Sequence, residues 1–197
     1  MVKADSHLSH DSLEACLSAL RSGEIILYPT ETFYAIGIDP WNENARKRIY
    51  AAKGRDASKE LPCIASDTEM VERFCNVKHP AYKTLSFRFW PGPLTLILPL
   101  IRGNESIAIR VSSHPIARQI SREFESPVVS TSANRSGEGP LSDAQLTPSV
   151  LQQAIVIAVD AGPSVGGLPS TIVSLLEDTP KIVRQGAIPP DQIVALL

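Results

Sequence analysis

Three cations fall within one short loop, KGRDASKE (53–60). Lys53 and Arg55 flank Gly54, which allows a left-handed turn between them, and Lys59 follows four residues later. One interpretation is structural, because Lys and Arg near a helix C-terminus interact favourably with the helix dipole; it explains Lys53 well and Lys59 poorly. The other is chemical: a triphosphate needs several cations that converge on adjacent oxygens, and this spacing can supply them.

A single arginine interrupts an apolar strand further along the chain. Arg110 lies in IAIRV (107–111), whose other residues predict a strand buried on both faces. An unpaired guanidinium is costly to bury, so Arg110 needs a partner. That partner is either a carboxylate of the protein, in a structural salt bridge, or the carboxylate of a substrate held by two parallel hydrogen bonds.

Small polar side chains also collect where predicted strands end or begin, and open α/β sheets place their ligands at strand ends. Such segments are YPTETFYAIG (28–37), STSANRSG (130–137), GGLPSTIV (166–173) and VRQG (183–186). For the first two, the alternative is a turn whose hydroxyl and amide side chains cap its own backbone. These segments and the two clusters above define the candidate functional residues.

Several familiar catalytic patterns are absent from the sequence. It contains no Walker A, GxGxxG or GxSxG motif, no convincing Ser/His/Asp or Cys/His set, and no histidine spacing typical of a zinc site. Catalysis would therefore depend on positioning and on stabilisation of charge, and not on an activated side-chain nucleophile.

Bulk properties narrow the class of protein. A chain of 197 residues suits one domain, and a formal net charge of −2 does not indicate a protein held to nucleic acid by its overall charge. Three cysteines without a CxxC pair fit a reducing compartment. The N-terminus lacks the apolar segment of a signal peptide, and no apolar run approaches the length of a membrane span. We therefore expect a cytoplasmic protein that makes no membrane contact.

Short β-rich runs alternate with amphipathic helical patterns. Helices are predicted between a cap at Asp11 and Gly23, between Asn42 or Asn44 and Gly54, within 112–124, and within 143–153, where Pro148 would break or restart the helix. Strands mixed with helices predict an α/β layered fold, with strand order left open. The predicted strands are 25–28, 94–98, 107–111, 127–131, 154–159, 170–175 and 181–184.

Taken in order along the chain, these segments resemble the YrdC/Sua5 family, the threonylcarbamoyl-AMP synthases. YPTETFYAIG is similar to the family's PTET-x-YGLG element, and KGRDASKE is similar to its KxR followed by Lys or Asn. WPGPLTLILP, IAIRVSSHP, VSTSAN, GGLPSTIV and VRQGAI have counterparts in the same order, so the resemblance covers about residues 11–188. It implies a YrdC-like α/β (α+β) fold, with a twisted mixed sheet of about seven strands flanked by helices and a concave ligand-binding face. It also implies one domain over 1–197, the short form of the family.

The resemblance implies an enzyme, a nucleotidyltransferase that converts L-threonine, bicarbonate and ATP to threonylcarbamoyl-AMP and pyrophosphate for the t6A modification of tRNA. Mg²⁺ would be carried by ATP, with no separate metal site, and a TsaD/Kae-type transferase would be the partner. Catalytic roles are implied for Lys53, Arg55, Ser132 and Asn134. Further ATP contacts are implied for Lys59, Ser106, Ser142 and Arg184, and threonine contacts for Thr32, Arg110, Ser130 and Thr171.

Three segments depart from the family pattern. The SxN element is followed by RSGEGP, without a clear Ser or Thr contact for ATP, so Ser142 is the one residue carried over from that stretch. Ala35 stands where the family has a glycine, so its backbone is less open to close approach by a ligand. ELPCIAS, which follows Lys59, differs from the family's NPLIVH form, so no histidine contact is carried over.

Three rival functions remain open at this point. One is carbamoyl-adenylate chemistry of the kind used in hydrogenase maturation, where similar modules occur in longer chains. Another is a non-catalytic module for double-stranded RNA or tRNA, in which the same cations would contact phosphates across a concave face. A weak contact with RNA or tRNA is also compatible with the enzyme. The last is a paralogue that keeps the fold without the activity.

Overall fold

The computed structural model describes the whole chain except Ser58, residues 135–138, Pro140 and Val165, and it leaves out the side chain of Leu146. Residues 135–137 of the predicted STSANRSG element therefore lie outside the described residues. Among the described residues, none of the helices has the length and apolar character needed to cross a bilayer.

Eleven strands among the described residues form two mixed sheets. The first sheet has the order β1-β9-β2-β3-β8, and the second has the order β11-β10-β5-β6-β4-β7. The strands are β1 (Val2–Lys3), β2 (Ile25–Tyr28), β3 (Ala35–Gly37), β4 (Cys63–Ala65), β5 (Leu94–Pro99), β6 (Ser106–Val111), β7 (Val128–Val129), β8 (Thr131–Ser132), β9 (Ile155–Asp160), β10 (Thr171–Ser174) and β11 (Lys181–Arg184).

Seven α-helices and one 3₁₀ turn complete the described fold. They are α1 (His10–Arg21), α2 (Glu43–Lys53), α3 (Thr68–Phe74), α4 (Ala81–Phe89), α5 (Pro115–Phe124), the 3₁₀ turn (Ala144–Leu146), α6 (Ser149–Gln152) and α7 (Pro190–Val194). Helices α1 and α5 pack together, α1 also against β2 and α5 also against β4, so they contact both sheets.

The mixed α/β class is confirmed, and all seven predicted strands are present. The resemblance implied one sheet of about seven strands, whereas the described residues form two sheets, of five and six strands. The run 127–131 explains the difference: β7 pairs with β4 in the second sheet, whereas β8 pairs with β3 in the first. Ser130 joins the two. Periodicity along a chain predicts strands, but their pairing depends on distant segments.

The helix caps follow side-chain chemistry that is visible in the sequence. Helix α1 is capped by Ser9, two residues before the predicted Asp11, which instead lies in the first turn, where a carboxylate is favourable. In α2, the side chain of Asn42 accepts a hydrogen bond from the N–H of Ala45 at 2.9 Å. Gly54 ends α2 in the left-handed conformation, with φ of 57°. The backbone therefore turns directly after Lys53, as the sequence predicted.

Candidate active site

A cavity of about 350 Å³ is lined by residues from both sheets. Phe33, Ile97, Ile172 and Val183 form its apolar walls. Its polar lining includes seven of the twelve predicted site residues, which come from five separate segments of the chain: Thr32, Arg55, Arg110, Ser130, Ser132, Asn134 and Arg184.

The turn after β2 shows both behaviours proposed for it. The hydroxyl of Thr30 accepts hydrogen bonds from the N–H groups of Thr32 and Phe33, each at 3.3 Å, and donates to the carbonyl of Phe33 at 2.7 Å. Thr30 therefore caps the turn. The Thr32 hydroxyl lies 3.1 Å from that of Thr30 and lines the cavity, so it is placed to contact a ligand.

Arg110 is buried in β6, with 6% of its surface exposed, and forms an ion pair with Glu31. The structural salt bridge considered from the sequence is therefore present, and Arg110 also lines the cavity. The Ser112 hydroxyl donates a hydrogen bond to the Glu31 carboxylate and accepts one from the N–H of His114 at 3.1 Å. Burial, with a smaller effect of Arg184, lowers the pKa of Arg110 to about 10, so the guanidinium is charged at neutral pH.

Lys53 is almost fully buried at the end of α2, with 2% of its surface exposed. Its ammonium donates hydrogen bonds to the backbone carbonyl of Ser132 and, at 2.7 Å, to that of Asn134. Lys53 thus connects the end of the helix to the backbone of the SxN segment. Burial lowers its pKa to about 8, and the charge of Arg55 contributes in the same direction.

Arg55 and Lys59 lie in a loop that folds back on itself. Arg55 donates to the carbonyls of Glu60 at 2.9 Å and Lys59 at 3.4 Å, and the Tyr50 hydroxyl donates to the Lys59 carbonyl at 3.0 Å. Arg55 lines the cavity, whereas the side chain of Lys59 is exposed and is not part of the lining.

The start of β10 places adjacent residues on opposite sides of the strand, as the pleat requires. Ser170 lines the cavity, and its carbonyl and hydroxyl accept hydrogen bonds from Arg184 at 2.8 and 3.1 Å. Thr171 is fully buried and lies outside the lining. Desolvation, followed by the charge of Arg55, lowers the pKa of Arg184.

The remaining predicted residues occupy three positions. The Ser132 hydroxyl donates to the side-chain oxygen of Asn134, which orders the SxN segment at the cavity wall. Ser106 donates to the Glu60 carboxylate at 3.1 Å and lines a neighbouring cavity of about 370 Å³. Glu60 lines both cavities, so the two adjoin. Ser142 lies outside both linings, and its carbonyl accepts a hydrogen bond from the N–H of Ser164 at 2.7 Å.

Sequence reasoning missed two residues that help to build the site, Glu31 and Ser170. The requirement that a buried arginine has a partner could have indicated Glu31, a carboxylate within a segment already singled out. No sequence signal separates Ser170 from Thr171. In the described part of the chain, no group of three or more His, Cys, Asp or Glu side chains could hold a metal ion.

Comparison with known protein families gives a match over most of this chain. The model of the Sua5/YciO/YrdC family, described as "Telomere recombination", matches residues 18–186. The chain belongs to this family. Its resemblance to the YrdC/Sua5 proteins is therefore confirmed over most of its length.

Individual members of the family are similar over most of this chain. A Bacillus subtilis protein named threonylcarbamoyl-AMP synthase is 37% identical over 187 residues, which cover 90% of this chain and 54% of that protein. A Chromohalobacter salexigens protein of the same name is 36% identical, with 84% of this chain and 93% of that protein covered. The crystal structure of Pyrococcus abyssi Sua5 complexed with L-threonine superimposes with a TM-score of 0.89 at 29% identity, covering 100% of this chain and 60% of that one. The chain thus spans little more than half of the Bacillus and Pyrococcus proteins and most of the Chromohalobacter protein.

Proposed function

We propose that this protein is an L-threonylcarbamoyladenylate synthase, which converts L-threonine, bicarbonate and ATP to threonylcarbamoyl-AMP and pyrophosphate for the t6A modification of tRNA. The observation that carries the proposal is one cavity whose lining combines a buried arginine beside small hydroxyls with further cations beside the SxN segment. The Sua5 complex with L-threonine supports the amino-acid substrate.

The first of these groups suits the amino acid, and we name it the amino-acid end: Thr32, Arg110 and Ser130. A guanidinium can bind a carboxylate through two parallel N–H donors, so Arg110 is the proposed clamp for the threonine carboxylate. Ser130 lies where the chain passes from one sheet to the other, and its N–H donates to the carbonyl of Pro62 at 2.7 Å, which fixes its position beside the cavity.

The second group suits the triphosphate, and we name it the phosphate end: Arg55 and Arg184 in the lining, with Lys53, which is not in the lining and binds the backbone of the SxN segment. Burial lowers the pKa of both Lys53 and Arg184, and the nearby charge of Arg55 lowers each of them further. Like charges held together in this way are stabilised when an anion binds between them. ATP and the departing pyrophosphate would supply that charge.

The reaction requires alignment more than covalent help from the protein. Threonine and bicarbonate first yield N-carboxy-threonine and water. An oxygen of the new carbamate then attacks the α-phosphorus of ATP, and the bond from that phosphorus to the bridging oxygen of the β-phosphate breaks. Pyrophosphate leaves with the bonding electrons. Ser132 and Asn134, which line the same cavity, would contact the nucleotide near the α-phosphate.

The other predicted residues and ligands are also part of the proposal. Lys59, Ser106 and Ser142 remain predicted ATP contacts and Thr171 a predicted threonine contact, although none of the four is in the described lining of this cavity. Mg²⁺ would arrive as part of the ATP substrate, coordinated by its phosphates. A TsaD/Kae-type transferase would receive the product, and the use of tRNA as final acceptor favours a cytoplasmic location.

The test is pyrophosphate release from ATP, measured with threonine and bicarbonate each omitted in turn. We expect release that requires both. A module that only binds RNA would release none, and pyrophosphate release without threonine would refute the proposed amino-acid substrate.

A further inference from the structure

The cations that line this cavity, and Lys53 next to its lining, differ in the charge of the groups that they contact. Lys53, Arg55 and Arg184 donate to backbone carbonyls, with one further bond to the Ser170 hydroxyl, and none of these acceptors carries a net charge. Arg110 is paired with the carboxylate of Glu31. Of the two ion pairs recorded among the described residues, this is the one at the cavity.

The pair of Glu31 and Arg110 is shielded from water. Their side chains are 13% and 7% exposed, so the negative charge of Glu31 is little screened and acts strongly on its neighbour. The buried Ser112 hydroxyl holds the carboxylate in place. Glu60 is a second carboxylate at the cavity, but it is exposed and its recorded partner is Ser106, so solvent screens its charge.

We infer that Glu31 is a specificity-determining residue: by neutralising Arg110, it keeps phosphate groups away from the amino-acid end of the cavity and reserves that end for a zwitterionic amino acid. The inference rests on the proposed function, because it explains how one cavity with several cations keeps two ligands apart. A polyanion is attracted by net positive charge, which remains at the phosphate end and is cancelled at Arg110. The guanidinium still has N–H groups that can bind a single carboxylate by directional hydrogen bonds.

Equilibrium binding tests this division without any need for turnover. Pyrophosphate serves as the anion probe, and the dissociation constant of L-threonine is measured by calorimetry with and without saturating pyrophosphate. In the wild-type protein, we expect pyrophosphate to change the threonine dissociation constant less than about twofold, because the two ligands occupy different ends. In Glu31→Gln, Arg110 keeps a neutral acceptor but loses its counter-charge, so pyrophosphate should compete and raise the apparent constant about tenfold.

Two control variants separate the charge of Glu31 from other effects. Glu24→Gln removes a carboxylate from an exposed ion pair with Arg48, in which the atoms are 2.8 Å apart, and it should behave as the wild type does. Glu31→Asp keeps the charge next to Arg110 and should also keep the two ligands independent. Circular dichroism shows whether each variant is folded.

The outcomes are distinct. If pyrophosphate leaves the threonine dissociation constant unchanged in folded Glu31→Gln, as in the wild type, the inference is wrong. Competition between pyrophosphate and threonine in the wild type would also overturn the inference. This second outcome can be read even if the Glu31→Gln variant does not fold. Neither result contradicts the proposed function. A wild-type protein that binds neither ligand would overturn the proposed function together with the inference.

Discussion

Thr171→Val removes one hydroxyl from the protein interior and changes the side-chain volume very little. The Thr171 hydroxyl donates to the carbonyl of Ile188 at 2.7 Å and accepts from the N–H groups of Gly186 and Ile188, each at 3.0 Å. Through these three bonds it holds the segment after β11 against the start of β10. The Thr171 side chain is fully buried, so water cannot readily replace the hydrogen bonds that its hydroxyl makes.

The magnitude follows from the groups left without partners. A buried backbone group that loses its hydrogen bond costs about 1–3 kcal/mol, and the substitution affects two N–H groups and one carbonyl. Because local movement relieves part of this cost, we expect Thr171→Val to lower the free energy of unfolding by about 3–4 kcal/mol.

The neighbouring strand offers a matched control. Thr95 in β5 is also fully buried, and its hydroxyl has one partner, the Ser170 hydroxyl at 2.8 Å. Thr95→Val should therefore cost only about 1 kcal/mol. Urea unfolding of both variants and the wild type measures the difference. If Thr171→Val costs no more than Thr95→Val, the hydroxyl does not hold the two segments together and the reasoning is wrong.

Two further predictions concern the phosphate end. Arg55→Ala should cost about 2–4 kcal/mol of transition-state stabilisation, seen as a fall in kcat/KM for ATP, and a near-wild-type value would remove Arg55 from the mechanism. The pKa of Lys53 is about 8 in the folded protein, below its ordinary value of 10.5, so the unfolded chain binds more protons between these pH values. Stability should therefore rise with pH across that window in the wild type relative to Lys53→Met, as unfolding at pH 8 and pH 10 would measure. If the free energy of unfolding depends on pH identically in the two proteins, folding does not lower the pKa of Lys53.

The local features of this protein could be predicted from its sequence because they depend on neighbouring residues. Runs of branched apolar residues predicted the seven strands, and Asn42 and Gly54 marked the ends of α2. The same local logic placed polar side chains at strand ends, and the structure brings seven of the twelve predicted site residues to one cavity.

Contacts between distant segments were decided only by the tertiary structure. The sequence required a partner for Arg110 but did not identify Glu31, which lies on a different segment and reaches Arg110 only because the two sheets are packed together. The ammonium of Lys53 likewise binds backbone carbonyls of a remote strand end. Because every residue has a backbone carbonyl, the sequence does not indicate which of them is bound. Ser170 and Thr171 have similar side chains, and only the orientation of β10 determines which of them lines the cavity.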